Sequence, residues 1–287
     1  VGTTTVSAGA LNVASGGSIA SSATTVNSGG TLNVAGTAGA ITNSGSTVIQ
    51  SGGTSGALTI NGGTATVNGT SGNTTVNSGG TLKGSGTVGA LTIASGGTLA
   101  VGNSPGTMNA TSAVWNGGGR YQVEVKNFPL SLQEGATSSN FLGGAGTNWD
   151  YLNVATTLTI NATSGNQFII DVASLLADNS SGNASGFLPQ YDYTMAIATA
   201  AGGISGFDSS YFGFDLSKFT NSRDYAPWMS HGNYAPGNFN VSLSADSKTL
   251  NLNYARAIPE PSSASLLVLG LATVLAKSRR CRREFRI

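Results

Sequence analysis

The side chains best suited to chemistry are few, and several crowd into one stretch. The only histidine, His231, lies in Tyr225-Ala226-Pro227-Trp228-Met229-Ser230-His231-Gly232-Asn233-Tyr234, with Asp224 immediately before that stretch. An imidazole with a nearby carboxylate can move a proton or help to hold a metal ion. One histidine with no second His or Cys beside it makes no metal constellation, so an aromatic surface loop is the plainer reading and no cofactor is expected. Tyr225, Trp228 and Tyr234 offer the same loop a second use, stacking against the faces of sugar rings. The glycine groups Gly84-Ser85-Gly86 and Gly117-Gly118-Gly119 lack the lysine and helix of a phosphate loop and read as turns.

A different kind of chemistry is written at the C-terminus. Pro259-Glu260-Pro261 precedes Ser262 and Ser263, a thirteen-residue apolar run at 264–276, and the cations Lys277, Arg279, Arg280, Arg282 and Arg283. A helix rises ~1.5 Å per residue and a bilayer core takes ~20 apolar residues, so the run suits a short, transient membrane stop. The cations would stay on the cytoplasmic side, which leaves the two prolines extended at the outer face, open to a processing enzyme. On these grounds alone an ordinary C-terminal anchor with a basic stop is an equal alternative.

The three parts in that order resemble the PEP-CTERM sorting signal of exopolysaccharide-producing Gram-negative bacteria. The resemblance covers Ile258 to Arg283. It implies that Pro259, Glu260 and Pro261 form the sorting and processing motif, and that Lys277, Arg279, Arg280, Arg282 and Arg283 form the membrane stop. It further implies an exosortase-type processing enzyme as partner, a transient inner-membrane anchor, and release to the cell surface or exterior, by the logic of other removed C-terminal tails.

The rest of the chain must carry any scaffold, and its composition divides it. Residues 1–119 hold 28 of the 42 glycines, no acidic residue, no arginine and one lysine, Lys83, and their first aromatic is Trp115. Valine, leucine and isoleucine still recur between glycine pairs, which marks a repeat rather than disorder. Thr24-Thr25-Val26-Asn27-Ser28-Gly29-Gly30-Thr31-Leu32 returns as Thr74-Thr75-Val76-Asn77-Ser78-Gly79-Gly80-Thr81-Leu82, with variants at Ser15-Gly16-Gly17-Ser18-Ile19, Ser51-Gly52-Gly53-Thr54 and Ser95-Gly96-Gly97-Thr98-Leu99. Alternating stretches such as Ala90-Leu91-Thr92-Ile93 and Thr64-Ala65-Thr66-Val67-Asn68 predict strands, and the glycine pairs predict tight turns between them. Strands this short are stable only when successive coils stack and bury one face, with Ser, Thr and Asn lining up between coils as hydrogen-bonded ladders. The expected architecture is all-β, a right-handed parallel β-helix; a meandering β-sandwich or an array of hairpins is the alternative.

Gly89-Ala90-Leu91-Thr92-Ile93-Ala94-Ser95-Gly96-Gly97-Thr98-Leu99-Ala100-Val101-Gly102-Asn103-Ser104-Pro105-Gly106-Thr107 resembles the autotransporter-associated β-strand repeat of passenger-type β-helices. That likeness implies that Tyr121-Gln122-Val123-Glu124-Val125, Trp149-Asp150-Tyr151-Leu152-Asn153-Val154, Phe239-Asn240-Val241-Ser242-Leu243 and Leu250-Asn251-Leu252-Asn253-Tyr254 are later strands. True autotransporters end in a membrane barrel of many ~10-residue alternating strands, whereas this chain ends in a basic tail, so export calls for an N-terminal signal. Val1-Gly2-Thr3 has no charged or apolar leader, so that signal is expected outside this sequence.

Three segments follow: the repeats at 1–114, an aromatic-containing β-rich continuation or cap at 115–256, and the sorting segment with a short hydrophobic helix at 257–287. The second segment carries twenty of the 21 aromatics and ten of the twelve acidic residues. Inserts at 182–190 and 224–237 are expected at the surface, and a short helix near 211–219. Residues 257–287 carry six cations and two acids, leaving seven cations and ten acids for the body, so a nucleic-acid partner is not expected. The only cysteine, Cys281, sits among the tail arginines, so the body uses no disulfide.

The function expected is that of an exported, non-enzymatic structural protein of the cell surface or matrix, associated with exopolysaccharide. A glycan-binding adhesin using Tyr225, Trp228 and Tyr234 is one alternative. A β-helical polysaccharide lyase or hydrolase is another, and its carboxylates would have to lie beyond residue 119.

Overall fold

A computed structural model describes residues 2–128, 144–189, 191–221 and 238–256. Its short strands stack into coils of three strands each. Thr3–Val6, Gly9–Val13 and Ser18–Ile19 make the first coil, and Ala23–Val26, Gly30–Val34 and Thr37–Ala38 make the second. Equivalent strands of successive coils pair in parallel, so that Thr24 faces Ile41, Ile41 faces Leu58, Leu58 faces Thr74 and Thr74 faces Leu91. Thr37 and Thr54, hydrogen-bonded on adjacent coils, are 17 residues apart. The second strands of the coils form a nine-stranded sheet, and the first and third strands merge into a 17-stranded one. The molecule is a parallel β-helix.

Alternation decides what each strand buries. One inward column runs Val6, Val26, Asn43, Ile60, Val76, Ile93, Trp115 and Ile160 along paired positions. A second runs Leu11, Leu32, Thr47, Ala65, Leu82, Leu99, Tyr121 and Ile170. Asn43 and Thr47 are the polar members of these columns and both are fully buried. They satisfy each other: Thr47 Oγ1 donates to Asn43 Oδ1 at 2.8 Å, and Asn43 Nδ2 faces the carbonyls of Gly45, Gly62 and Thr64, each at 3.3 Å.

The glycine pairs divide two tasks. Gly29 takes φ +90°, a left-handed conformation that an L side chain resists. Gly30 has an ordinary φ but lies so close to the preceding coil that a Cβ there would be 2.3 Å from the Val6 carbonyl oxygen. One glycine turns the chain and the other lets the coils approach.

Parallel stacking continues past Trp115. Strand Arg120–Val125 pairs with Phe168–Ser174, and the latter with Phe212–Asp215. The enlarged interior of these coils takes aromatic rings, with Trp115 stacked on Phe168 at 4.6 Å between centroids. The direction then reverses. Thr249–Ala255 pairs antiparallel with Tyr193–Ala200, and Asn238–Leu243 antiparallel with Thr249–Ala255, which extends the larger sheet past the edge of Tyr193–Ala200. Phe219, Phe239 and Tyr254 pack edge to face beneath these strands.

One local expectation is corrected and a second is refined. The helix expected near 211–219 is a single 3-10 turn, Ser209–Tyr211, followed by a strand, because Phe212 seats opposite Phe168 in the core. The insert at 182–190, expected at the surface, is exposed or half-buried at seven of its eight described positions, but Ala184 is buried and the half-buried Phe187 packs on Phe128, Tyr193, Phe219 and Tyr254. Burying that ring removes apolar surface from water, which outweighs the loop's polar composition. Residue 190, the insert at 224–237 and the expected C-terminal helix lie outside the described residues.

Candidate functional site

The outward positions of the coils present rows of hydroxyl and amide groups. Asn33 donates to Asn12 and Asn77 to Asn61, both at 2.7 Å, while Asn103 donates to Asn68 at 3.0 Å and Asn153 to Asn109 at 2.9 Å. The expected side-chain ladders between coils are therefore present. Each amide in such a pair keeps further donor and acceptor capacity facing water. A threonine row runs Thr5, Thr25, Thr42, Thr59, Thr75 and Thr92, one residue per coil in unbroken register.

Among the described residues, charge is concentrated elsewhere, on the outer face of Arg120–Val125 and its neighbours. Arg120 donates to Asp215 Oδ2 at 3.0 Å; Lys218 Nζ donates to Asp171 Oδ2 at 2.7 Å and to Gln122 Oε1 at 3.0 Å. Hydrogen bonds from Ser217, then Arg120, hold the Asp215 carboxyl at about 2, so it stays ionised at neutral pH. Asp171 is buried, with one oxygen on Lys218 and the other without a partner. Glu124 accepts from Gln122 at 3.1 Å. Cations and carboxylates are thus engaged with one another across coils.

One further carboxylate is sealed inside. Asp150 is fully buried and accepts the backbone N–H groups of Gly106 and Glu124, both at 2.9 Å. Burial raises its pKa well above the ordinary carboxylate value, opposed by those two hydrogen bonds and reinforced by the charge of Glu124. It ties the turn before Thr107–Asn116 to the strand Arg120–Val125 and faces no solvent. Among the described residues no group of three or more His, Cys, Asp or Glu side chains is placed to hold a metal ion.

The site residues expected from the sequence are not among those described. Pro259, Glu260, Pro261, Lys277, Arg279, Arg280, Arg282 and Arg283 lie outside the described residues, as do Tyr225, Trp228, His231 and Tyr234. The ion-paired face was missed. Arg120, Gln122 and Glu124 alternate with Tyr121, Val123 and Val125 and so announce an outward polar edge, but Arg120 meets its carboxylate 95 residues away. Comparison of the chain with protein-family models finds no match, and neither does comparison with curated proteins.

Proposed function

We propose that this is an exported, non-enzymatic structural protein of the cell surface or extracellular matrix, a rod whose polar rows contact exopolysaccharide. The observation that carries the reading is the repetition of exposed amides, Asn12 with Asn33 and Asn61 with Asn77, on a scaffold whose first 119 residues bear one charge. Uncharged amides and hydroxyls exchange hydrogen bonds with sugar hydroxyls at little desolvation penalty, and repetition along a rod adds weak contacts into a useful total. On this reading the Pro259-Glu260-Pro261 segment addresses the chain to an exosortase-type enzyme, with Lys277 and the following arginines holding the tail in the inner membrane until processing.

The test has two arms. The mass of the mature C-terminus is measured in cells with and without the processing enzyme; a tail lost only when the enzyme is present supports sorting, and an intact tail in both refutes it. Retention of the chain on native exopolysaccharide is then compared for the wild type and Asn33→Ala/Asn77→Ala. Weaker retention of the variant supports the amide rows. Equal retention, combined with loss on Trp228→Ala, would move the contact to the aromatic loop.

A further inference from the structure

One wall of the β-helix repeats a single three-residue pattern. Its successive coils read Ala23-Thr24-Thr25, Ala40-Ile41-Thr42, Ala57-Leu58-Thr59, Asn73-Thr74-Thr75 and Ala90-Leu91-Thr92. The middle residue of each triplet is buried, and the flanking two point outward. Thr25, Thr42, Thr59, Thr75 and Thr92 are paired in register with no shift, as are the central residues beside them. Outward, then, lie two parallel ranks: one mostly of alanine methyls, one of threonines offering a hydroxyl and a methyl apiece. All are exposed or half-buried.

Two facts separate this wall from the other polar rows. The amides elsewhere bond to one another, and Thr54 donates to Thr37 at 3.2 Å, whereas no described partner takes up the hydroxyls of Thr25, Thr42, Thr59, Thr75 or Thr92. Their hydrogen bonds must go outward. The wall also carries no charge and no aromatic ring, since Lys83 belongs to the strand Gly80–Gly84 of the other sheet and the first aromatic is Trp115.

We infer that this wall is a surface for crystalline water, the face of an ice crystal. Each residue of the amide rows offers a flexible glycan two donors and an acceptor, whereas this wall offers single hydroxyls set among methyls, too little to offset the ordering of a flexible chain. A solid lattice is already ordered. It asks only for a rigid surface of matching repeat, and strands ~4.8 Å apart lie near the repeat of water oxygens in the basal plane of hexagonal ice. Outward hydroxyls take the places of lattice oxygens, while the methyls between them favour ordered over mobile water. Each coil repeats the same small contact, so binding grows with the number of coils engaged.

The experiment uses the full chain. Thermal hysteresis and ice-crystal shaping are measured for the wild type, for Thr59→Lys, and for Thr70→Lys, which places the same charge on an exposed residue of another wall. Activity in the wild type and in Thr70→Lys, with about a tenfold loss in Thr59→Lys at an unchanged circular dichroism spectrum, is the expected result. Should Thr59→Lys fail to fold, Ala57→Tyr places a bulky ring on the neighbouring rank and is expected to give the same loss. Absence of hysteresis in the wild type, or equal activity in a folded Thr59→Lys, overturns the inference. Retention on microcrystalline cellulose that Thr59→Lys abolishes, in a protein inert towards ice, also overturns it and assigns the wall to a solid glycan. Exopolysaccharide retention through Asn33 and Asn77 is read separately, so either idea can fail alone.

Discussion

Asn43 interrupts a column that otherwise reads Val6, Val26, Ile60, Val76, Ile93 and Trp115, and a double-mutant cycle with Thr47 tests whether it acts as half of a pair. Asn43→Val leaves the Thr47 hydroxyl, bonded at 2.8 Å and fully buried, with no partner. An orphaned buried hydroxyl costs about 1–3 kcal/mol, and the apolar surface gained offsets about 1 kcal/mol of it. The three carbonyl contacts contribute less, since two N–H groups are shared among three acceptors at 3.3 Å. Thr47→Val strands Asn43 Oδ1 to a similar degree. In Asn43→Val/Thr47→Val neither orphan remains, so the double variant should lie well above the sum of the singles, with a coupling of about 2 kcal/mol. Equilibrium urea unfolding followed by far-ultraviolet circular dichroism supplies the four stabilities, provided the slopes agree. Single losses that add to within about 0.5 kcal/mol would show that the two side chains act independently and would refute the reasoning.

Three further outcomes are expected. Gly29→Ala should lose about 1–2 kcal/mol to its φ of +90°, while Gly30→Ala, whose Cβ would press at 2.3 Å on the Val6 carbonyl, should lose more; the opposite order in thermal melts would contradict the division of labour in the glycine pairs. Lys218→Met uncovers the buried Asp171 carboxylate and should cost about 1.5–3 kcal/mol, whereas Arg120→Ala, at a pair with side chains 40% and 32% exposed, should stay under about 1 kcal/mol in the same urea assay. Asp150, with its pKa raised by burial, contributes stability that is full below about pH 4 and is lost as pH rises through its folded value; Asp150→Asn should flatten that decline, and an unchanged pH profile would exclude Asp150 as its source.

The repeated coils were legible because each is a local message. Ala90-Leu91-Thr92-Ile93 states which residues turn inward, and Ser95-Gly96-Gly97-Thr98 states where the chain bends, so strand, turn and stacking can be read within one repeat. Beyond Trp115 the message becomes distant. Arg120 and Asp215 are 95 residues apart and Lys218 and Asp171 are 47 apart, so no window of sequence shows either pair. The expected helix near 211–219 failed for a physical reason as well. Asp208 does cap, accepting from the Ser210 backbone at 2.9 Å, but the alternation of Phe212-Gly213-Phe214-Asp215 and the paired Phe168 draw the chain into a strand after one turn.

The two nearly identical segments beginning at Thr24 and Thr74 occupy the same column, three rungs apart. Recombination between the stretches of gene that encode them would delete or duplicate whole coils and never a fraction of one. Every resulting chain would keep its register, its turns and its closing strands, and would differ only in being about 14 Å shorter or longer. The repeat thus makes length a heritable quantity that can vary by fixed steps without passing through an unfoldable intermediate.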